Sequence, residues 1–268
     1  MTAWPYDQIA RFYDQDMGLN ADPKSVTWYL ETLKNWVGDH REPVLELGCG
    51  TGRITLPIAA SGRDVLAIDR SSAMLAILKD KASGRGLDLR IECIHGDMTE
   101  LGFKGPFSAV LCPFSVLAYI LDDAVLTRLL KSIRDCLIPG GILAFDMFVP
   151  RHGAEGVPSD KLIEDYRRTL PAGEFGSGHV LQRFKRLTRN SGSGVTQLER
   201  FYEVFDVSGA SIEKFATYSQ QREHEPGVFA AKIASLPMEL ICHHADFEGN
   251  WNSTKPAGTS CVVARRMN

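Results

Sequence analysis

The stretch 44–53, Val-Leu-Glu-Leu-Gly-Cys-Gly-Thr-Gly-Arg, constrains the fold of this 268-residue chain more than any other. A short apolar strand runs into glycines at 48, 50 and 52, and residues 53–60 then have helical character. A glycine-rich turn at a helix N-terminus lets a ligand approach the backbone and aims free N–H groups at it. This pattern predicts an α/β cradle of the nucleotide-binding kind. The same rhythm continues downstream. Residues 65–68 read as a strand ending in Asp69, and 72–81 as a helix with Met74, Leu75 and Leu78 on its apolar face. Strands follow at 89–94 and 109–112, an amphipathic helix at 124–137, and a strand at 142–148 after the Pro139-Gly140-Gly141 turn. Strands alternating with helices predict a parallel sheet covered on both faces, with right-handed crossovers.

The flanks read differently. Asp22 and Pro23 suit the cap and first position of a helix. Val26, Tyr29, Leu33 and Trp36 then repeat at helical spacing. Residues 151–178 are loop-like, and 180–188, 196–207 and 211–219 alternate with short connections between them. That pattern predicts an antiparallel meander. A helix at 226–236 and strands at 239–243 and 259–264 close the chain. The expected organisation is an N-terminal lid and helix (1–40), a cofactor-binding α/β core (41–150), an antiparallel insertion forming a substrate wall or lid (151–222), and a C-terminal helix with the last two core strands (223–268).

Composition narrows the partners. There are 30 Lys and Arg against 33 Asp and Glu, so the basic excess typical of a nucleic-acid binder is missing. The run 183–189 holds four basic residues in seven and reads as a solvated strand face. Six cysteines at 49, 93, 112, 136, 242 and 261 form no CxxC, which suits small core residues in a reducing cytoplasm. Asp7, Arg11, Asp14 and Asp16 argue against a signal peptide. The longest apolar stretch, 109–121, is too short for a bilayer and is broken by Pro113 and Ser115. The expectation is a cytoplasmic protein acting on a small molecule, with no membrane or nucleic-acid partner. Pairing into a homodimer stays open.

Two ligands compete for the glycine turn. A dinucleotide fingerprint needs glycine at its sixth position, where this chain has Arg53, and a P-loop needs a Gly-Lys pair that is missing. The alternative is a nucleoside that carries an amino acid. Glu46 would hold its ammonium, directly or through water, and the 48–52 backbone would pass beneath its ribose. Asp69, 21 residues after Gly48, would accept from both ribose hydroxyls. Met74 would pack on the adenine face, and Asp97 of Gly96-Asp97-Met98 would accept from the adenine amino group.

Four motifs carry a family resemblance: ELGCGTGR at 46–53, IDRSSAML at 68–75, HGDM at 95–98 and PGGILAFDMF at 139–148. In this order and spacing they resemble the class I S-adenosylmethionine-dependent methyltransferases. The resemblance implies a Rossmann-like, seven-stranded, mostly parallel sheet whose last strand inserts antiparallel beside the fifth. It implies S-adenosylmethionine as cofactor, held by Tyr13, Glu46, Gly48, Cys49, Gly50, Gly52, Arg53, Asp69, Arg70, Met74, Asp97, Met98 and Cys112.

The acceptor is less defined. Cys112-Pro113-Phe114-Ser115 lacks the Asp/Asn-Pro-Pro-Tyr/Phe of nucleic-acid amino methyltransferases and reverses the Pro-Cys of cytosine-carbon enzymes. Ile9-Ala10-Arg11-Phe12-Tyr13-Asp14 resembles the opening of the glycine-type and amino-sugar N-methyltransferases. This implies Tyr13 over the cofactor, its hydroxyl near the sulfonium or the acceptor. The meander, with the residues 221–224 after it, resembles the β-insert of the amino-sugar group. Phe114, Ser115 and Tyr119 follow the fourth strand, at the carboxyl edge where ligands bind such sheets, and are expected substrate contacts. Arg222 suits a substrate carboxylate or phosphate. His152 and His224 are the leading candidates for a base, with His243 and His244 also in view. His243, His244 and Asp246 suggest a metal, but adjacent strand residues point to opposite faces, so no metal is expected. The expected reaction is N-methylation of a small metabolite by in-line displacement. O-methylation is the near alternative. A nicotinamide-dependent oxidoreductase and a non-catalytic nucleoside-binding protein are the alternatives of another kind.

Overall fold

The computed structural model describes residues 4–18, 23–100, 102, 104–148, 160–170, 178–190, 192–222, 224, 226–248 and 259–267. They form two sheets. The larger contains β1 (Val44–Leu47), β2 (Val65–Asp69), β3 (Ile91–His95), β4 (Phe107–Cys112), β5 (Leu137–Phe148), β10 (Met238–His244) and β11 (Thr259–Arg266). Its order is β10-β11-β5-β4-β1-β2-β3, and β11 runs antiparallel to both of its neighbours. The seven-stranded expectation therefore holds, including the reversed last strand. β1 and β4 are buried along their whole length, as continuous apolar runs in a parallel sheet should be. Strand order reverses between β1 and β4, and open α/β sheets bind ligands at the carboxyl ends beside such a reversal.

Helices cover both faces. α2 (Pro23–Trp36) buries Tyr29 and Leu33 on one face, and α5 (Asp123–Cys136) buries Leu126, Leu129, Leu130 and Ile133 on the other. The side chain of Asp122 accepts from the Val125 amide at 2.8 Å and starts α5. Trp36, expected on the apolar stripe of α2, lies at the surface under the Arg265 guanidinium instead. The expected cap Asp22 falls outside the described residues. α3 (Thr55–Ala60) begins two residues later than its sequence suggests. β3 also starts late, because Asp88–Arg90 turn as a 3-10 helix and leave Leu89 in solvent.

The second sheet is antiparallel and has four strands, not the three expected: β6 (Ile163–Thr169), β7 (Val180–Asn190), β8 (Val195–Phe205) and β9 (Ser211–Arg222). β6, Ile-Glu-Asp-Tyr-Arg-Arg-Thr, has too few apolar residues to show an alternating pattern. Its ladder with β7 and its ion pairs hold it in place. The inward face of this sheet buries Leu181, Leu198, Tyr202 and Val204. Leu181, Tyr202 and Val204 pack with Ile9, Ala10 and Phe12 of the opening segment and with Met74 of α4 (Ser72–Ser83). Phe215 joins the two layers, stacking on Tyr202 at 4.7 Å and on Phe12 at 5.9 Å.

The basic run on β7 is solvated only in part, at Arg186 and Arg189. The Arg183 side chain is 11% exposed, bonding Asp16 at 2.5 Å and Asp165. Lys185 meets Asp165 at 2.6 Å, and Arg186 crosses to Glu199 on β8. Asp16 of the opening segment therefore serves as a counter-charge for the insertion. Among the described residues no helix is long and apolar enough to cross a membrane.

Candidate cofactor and active site

The three turn glycines all adopt positive φ, at +73° (Gly48), +53° (Gly50) and +87° (Gly52). Two of them are packing positions: a Cβ at Gly48 would stand 2.4 Å from Val116 Cγ2, and one at Gly52 2.2 Å from Leu78 Cδ1. Gly50 is different. Its open side meets only the Tyr13 ring, at 3.9 Å. Its amide donates to Asp69 Oδ2 at 2.8 Å, while Asp69 Oδ1 accepts from the Ser71 amide at 2.8 Å. Ser71 caps α4 by accepting from the Met74 amide, and its hydroxyl donates to Asp7 at 2.6 Å. Burial raises the Asp69 carboxyl above its ordinary value, and the N–H groups of Ser71 and Gly50 oppose that rise.

A cavity of about 360 Å³ opens over this turn. Of the residues expected from sequence, Tyr13, Gly48, Gly50, Asp69, Arg70, Met74, Asp97, Met98, Phe114 and Tyr119 line it. Asp97 Oδ1 accepts from the amide and hydroxyl of Thr99, and Oδ2 pairs with Arg70 at 3.2 Å. The Arg70 guanidinium in turn lies 4.2 Å from the centre of the Trp4 ring.

The opening segment crosses the cavity. Tyr6, on α1 (Pro5–Ile9), sets its hydroxyl 2.5 Å from that of Tyr119 and its ring edge-on to Tyr13 at 5.9 Å. Asp14 fixes the segment to the turn through Thr51 (2.7 Å) and to α4 through Lys81 (2.5 Å). Burial, then the neighbouring Tyr6 and Asp69, hold the Tyr13 phenol far above its ordinary value. It is a neutral O–H at physiological pH.

Several expected residues stand behind the lining. Glu46 is 1% exposed beneath the turn, accepts from the Thr55 hydroxyl at 2.6 Å and does not line the cavity. Cys49 and Cys112 are core side chains on opposite faces of the sheet. Gly52 packs on Leu78 and Leu56. Arg53 lies 4.0 Å over the Phe114 ring and donates to Ser25 at 2.5 Å, bracing the wall from outside. Ser115 is buried and accepts from the Phe148 amide at 2.7 Å. Arg222 donates to the Leu121 carbonyl at 2.8 Å and does not line the cavity. His224 is buried edge-on to Phe229, and burial lowers its pKa. His243 pairs with Ser260 at 2.7 Å. His152 lies outside the described residues. Among the described residues no three His, Cys, Asp or Glu side chains gather as a metal site.

Sequence reasoning missed Trp4, Tyr6 and Asp146. The Tyr6-Asp7 pair repeats Tyr13-Asp14 and was the available signal. Asp146, at the end of β5, is 3% exposed and accepts from the Tyr29 hydroxyl (2.7 Å) and the Phe114 amide (2.9 Å). It fixes the left-handed turn at Phe114 (φ 58°) and Ser115 (φ 53°) that shapes the acceptor wall.

The residues present fit a nucleoside-linked amino acid. A carboxylate ends β2 beside bare glycine backbone, a second carboxylate sits in the loop after β3, and Ile68, Met74 and Met98 supply apolar walls. If Asp69 accepts from ribose hydroxyls, Asp69→Ala weakens S-adenosylhomocysteine binding by roughly 1.5–3 kcal/mol in calorimetry. Unchanged affinity removes Asp69 from the site.

Glu46 makes a separate prediction. Burial pushes its carboxyl from 4.5 up to about 8, with Thr55 opposing. The folded chain keeps a proton in that range which the unfolded chain releases. Its contribution to stability is full below the unfolded value, falls as pH rises, and is lost above about 8. From about pH 5 to about pH 8 the native chain should lose on the order of 3 kcal/mol more than Glu46→Gln in urea unfolding. Equal losses would show that Glu46 is ionised in the folded state.

Known proteins were compared against this geometry. The family profile described as a methyltransferase domain matches residues 44–141. YqeM of Bacillus subtilis (strain 168), which bears a methyltransferase name, is 32% identical over 256 residues, covering 95% of this chain and 93% of its own. The crystal structure of an S-adenosylmethionine-dependent methyltransferase from Clostridium acetobutylicum ATCC 824 superposes with a TM-score of 0.78 at 17% identity, covering 98% of this chain and 99% of the other. The sugar N-methyltransferase KedS8 from Streptoalloteichus sp ATCC 53650 superposes with a TM-score of 0.71 at 20% identity, covering 98% and 93%. The nicotinamide reading of the glycine turn falls on this match, as Arg53 at the sixth position already argued. A glycine cradle closed by the Asp69 carboxylate accords with kinship along nearly the whole of YqeM, and the chain belongs to the class I S-adenosylmethionine-dependent methyltransferases.

Proposed function

We propose that the enzyme methylates a nitrogen of a small metabolite. The observation that carries this reading is the character of the wall across from the glycine turn. It is built from Tyr6, Tyr13, Tyr119 and Phe114, and among the described residues no histidine or lysine lines the cavity. S-adenosylmethionine, when bound, supplies an electrophilic methyl group on a sulfonium. A neutral amine brings its own lone pair to such a carbon, whereas a hydroxyl acceptor needs a base to take its proton. The enzyme's task is then alignment.

Each residue has a role in this reading. Asp69 takes the ribose hydroxyls, Met74 packs on the adenine, and Asp97 accepts from the adenine amino group. The Gly48 and Gly50 backbone lies under the ribose and the amino-acid chain. Arg53 and Asp146 hold Phe114 from behind. Tyr13, fixed over Gly50 by the Asp14 contacts, orients the acceptor with a neutral phenol. Burial and Tyr6 likewise keep Tyr119 protonated, so it donates and accepts hydrogen bonds without serving as a base. The modest cavity and the segment crossing it favour a small acceptor. The sugar N-methyltransferase KedS8 shares this architecture, which is consistent with a nitrogen acceptor without specifying one.

Transfer of labelled methyl to matched pairs of small amines and alcohols tests the reading. Amines should be methylated and their hydroxyl counterparts should not; methylation of the alcohols alone would refute it. Tyr13→Phe should lower kcat by about tenfold or more while S-adenosylhomocysteine affinity changes by less than about threefold. Equal losses in both would make Tyr13 a clamp on the cofactor.

A further inference from the structure

Phe114 is held in a conformation that its own side chain disfavours. It follows β4, and both Phe114 (φ 58°) and Ser115 (φ 53°) are left-handed, a region that a bulky residue rarely enters. A backbone outlier of this kind persists only where its surroundings over-determine it. Phe114 lines the cavity, so whatever holds it shapes the space left for the acceptor.

Two anchors hold it. The Phe114 amide donates to Asp146 Oδ1 at 2.9 Å, and the Arg53 guanidinium lies 4.0 Å from the centre of the Phe114 ring. Neither Asp146 nor Arg53 lines the cavity. Both are reached by one helix from behind. Tyr29 donates its hydroxyl to the same Asp146 oxygen at 2.7 Å, and Ser25 accepts from Arg53 at 2.5 Å. Ser25 and Tyr29 stand four residues apart on α2, on one face of the helix. They are 2% and 0% exposed. Burial raises the Asp146 carboxyl, and the hydrogen bonds from Tyr29 and from the Phe114 amide favour its charged form. A buried tyrosine takes a hydrogen-bond partner wherever it packs. What sets Tyr29 apart is that its partner is the oxygen that also holds a cavity residue, and that α2 reaches the ring of that residue a second time through Ser25.

We propose that Ser25 and Tyr29 are positioning residues for the methyl acceptor. Acting through Arg53 and Asp146, they fix Phe114 from behind and so set which acceptors fit beside the cofactor. The glycine turn is fixed separately, by Asp69 on the Gly50 and Ser71 amides, and does not depend on them. The proposal rests on Phe114 as an acceptor contact and not on nitrogen as the nucleophile.

The test uses the full chain saturated with S-adenosylhomocysteine, with 4-fluorophenylalanine incorporated at position 114 alone and read by fluorine NMR. Tyr29→Phe, which removes one hydroxyl, and Ser25→Ala should each shift or split the line. Thr32→Val removes another buried hydroxyl from α2 and should leave the line in place. S-adenosylhomocysteine affinity should change by less than about threefold in all three variants. With any amine or alcohol that the native chain methylates, Tyr29→Phe should raise the acceptor KM at least about fivefold while the KM for S-adenosylmethionine holds. A line that stays put in either folded variant, or that moves as far in Thr32→Val, overturns the proposal, as does an unchanged acceptor KM. The fluorine reading needs no methyl transfer, so a failed amine panel and a failed positioning test remain separate results.

Discussion

The carboxylate of Asp69 is the junction on which the site depends. One oxygen holds the Gly50 amide and the other the Ser71 amide, so the end of β2 fixes both the glycine turn and the start of α4. Ser71 passes the connection on to Asp7 in the opening segment. Three parts of the chain, far apart in sequence, are therefore linked through this half-buried carboxylate and Ser71. Burial alone would favour its neutral form; the backbone donors oppose this. The carboxylate that builds the cradle also lines the cavity.

The opening segment does comparable work on the far side. Its tyrosines form a wall of the cavity, and its acidic residues neutralise other elements: Asp14 pairs with Lys81 on α4, and Asp16 with Arg183 on β7. The segment thus joins the α/β core to the antiparallel sheet through charge pairs and the Phe12–Phe215–Tyr202 stack. Charges at this junction can stay partly buried because nearly every one is paired.

Much of the core was legible in sequence because its constraints are local. A glycine turn, a carboxylate 21 residues later and continuous apolar strands each specify backbone and burial without reference to the rest of the fold. What was not legible depended on distant pairings. β6 is polar and exists through its neighbour β7. Sequence does not show that Glu46 accepts from Thr55, nine residues on, beneath the turn. Ser115 occupies a strand-end position that suggested substrate contact, yet its left-handed backbone turns its hydroxyl to the Phe148 amide. The family match reflects the local features and covers residues 44–141, whereas the cavity also takes Trp4, Tyr6 and Tyr13 from the opening segment.

The central claim is that the turn at 48–52, closed by Asp69, holds a nucleoside-linked amino acid and not a dinucleotide. Calorimetric titration of the purified chain with S-adenosylhomocysteine, with NAD in a parallel cell, tests it most directly. Micromolar one-to-one binding of the first and no heat from the second is the predicted result. Binding of NAD without S-adenosylhomocysteine would contradict it.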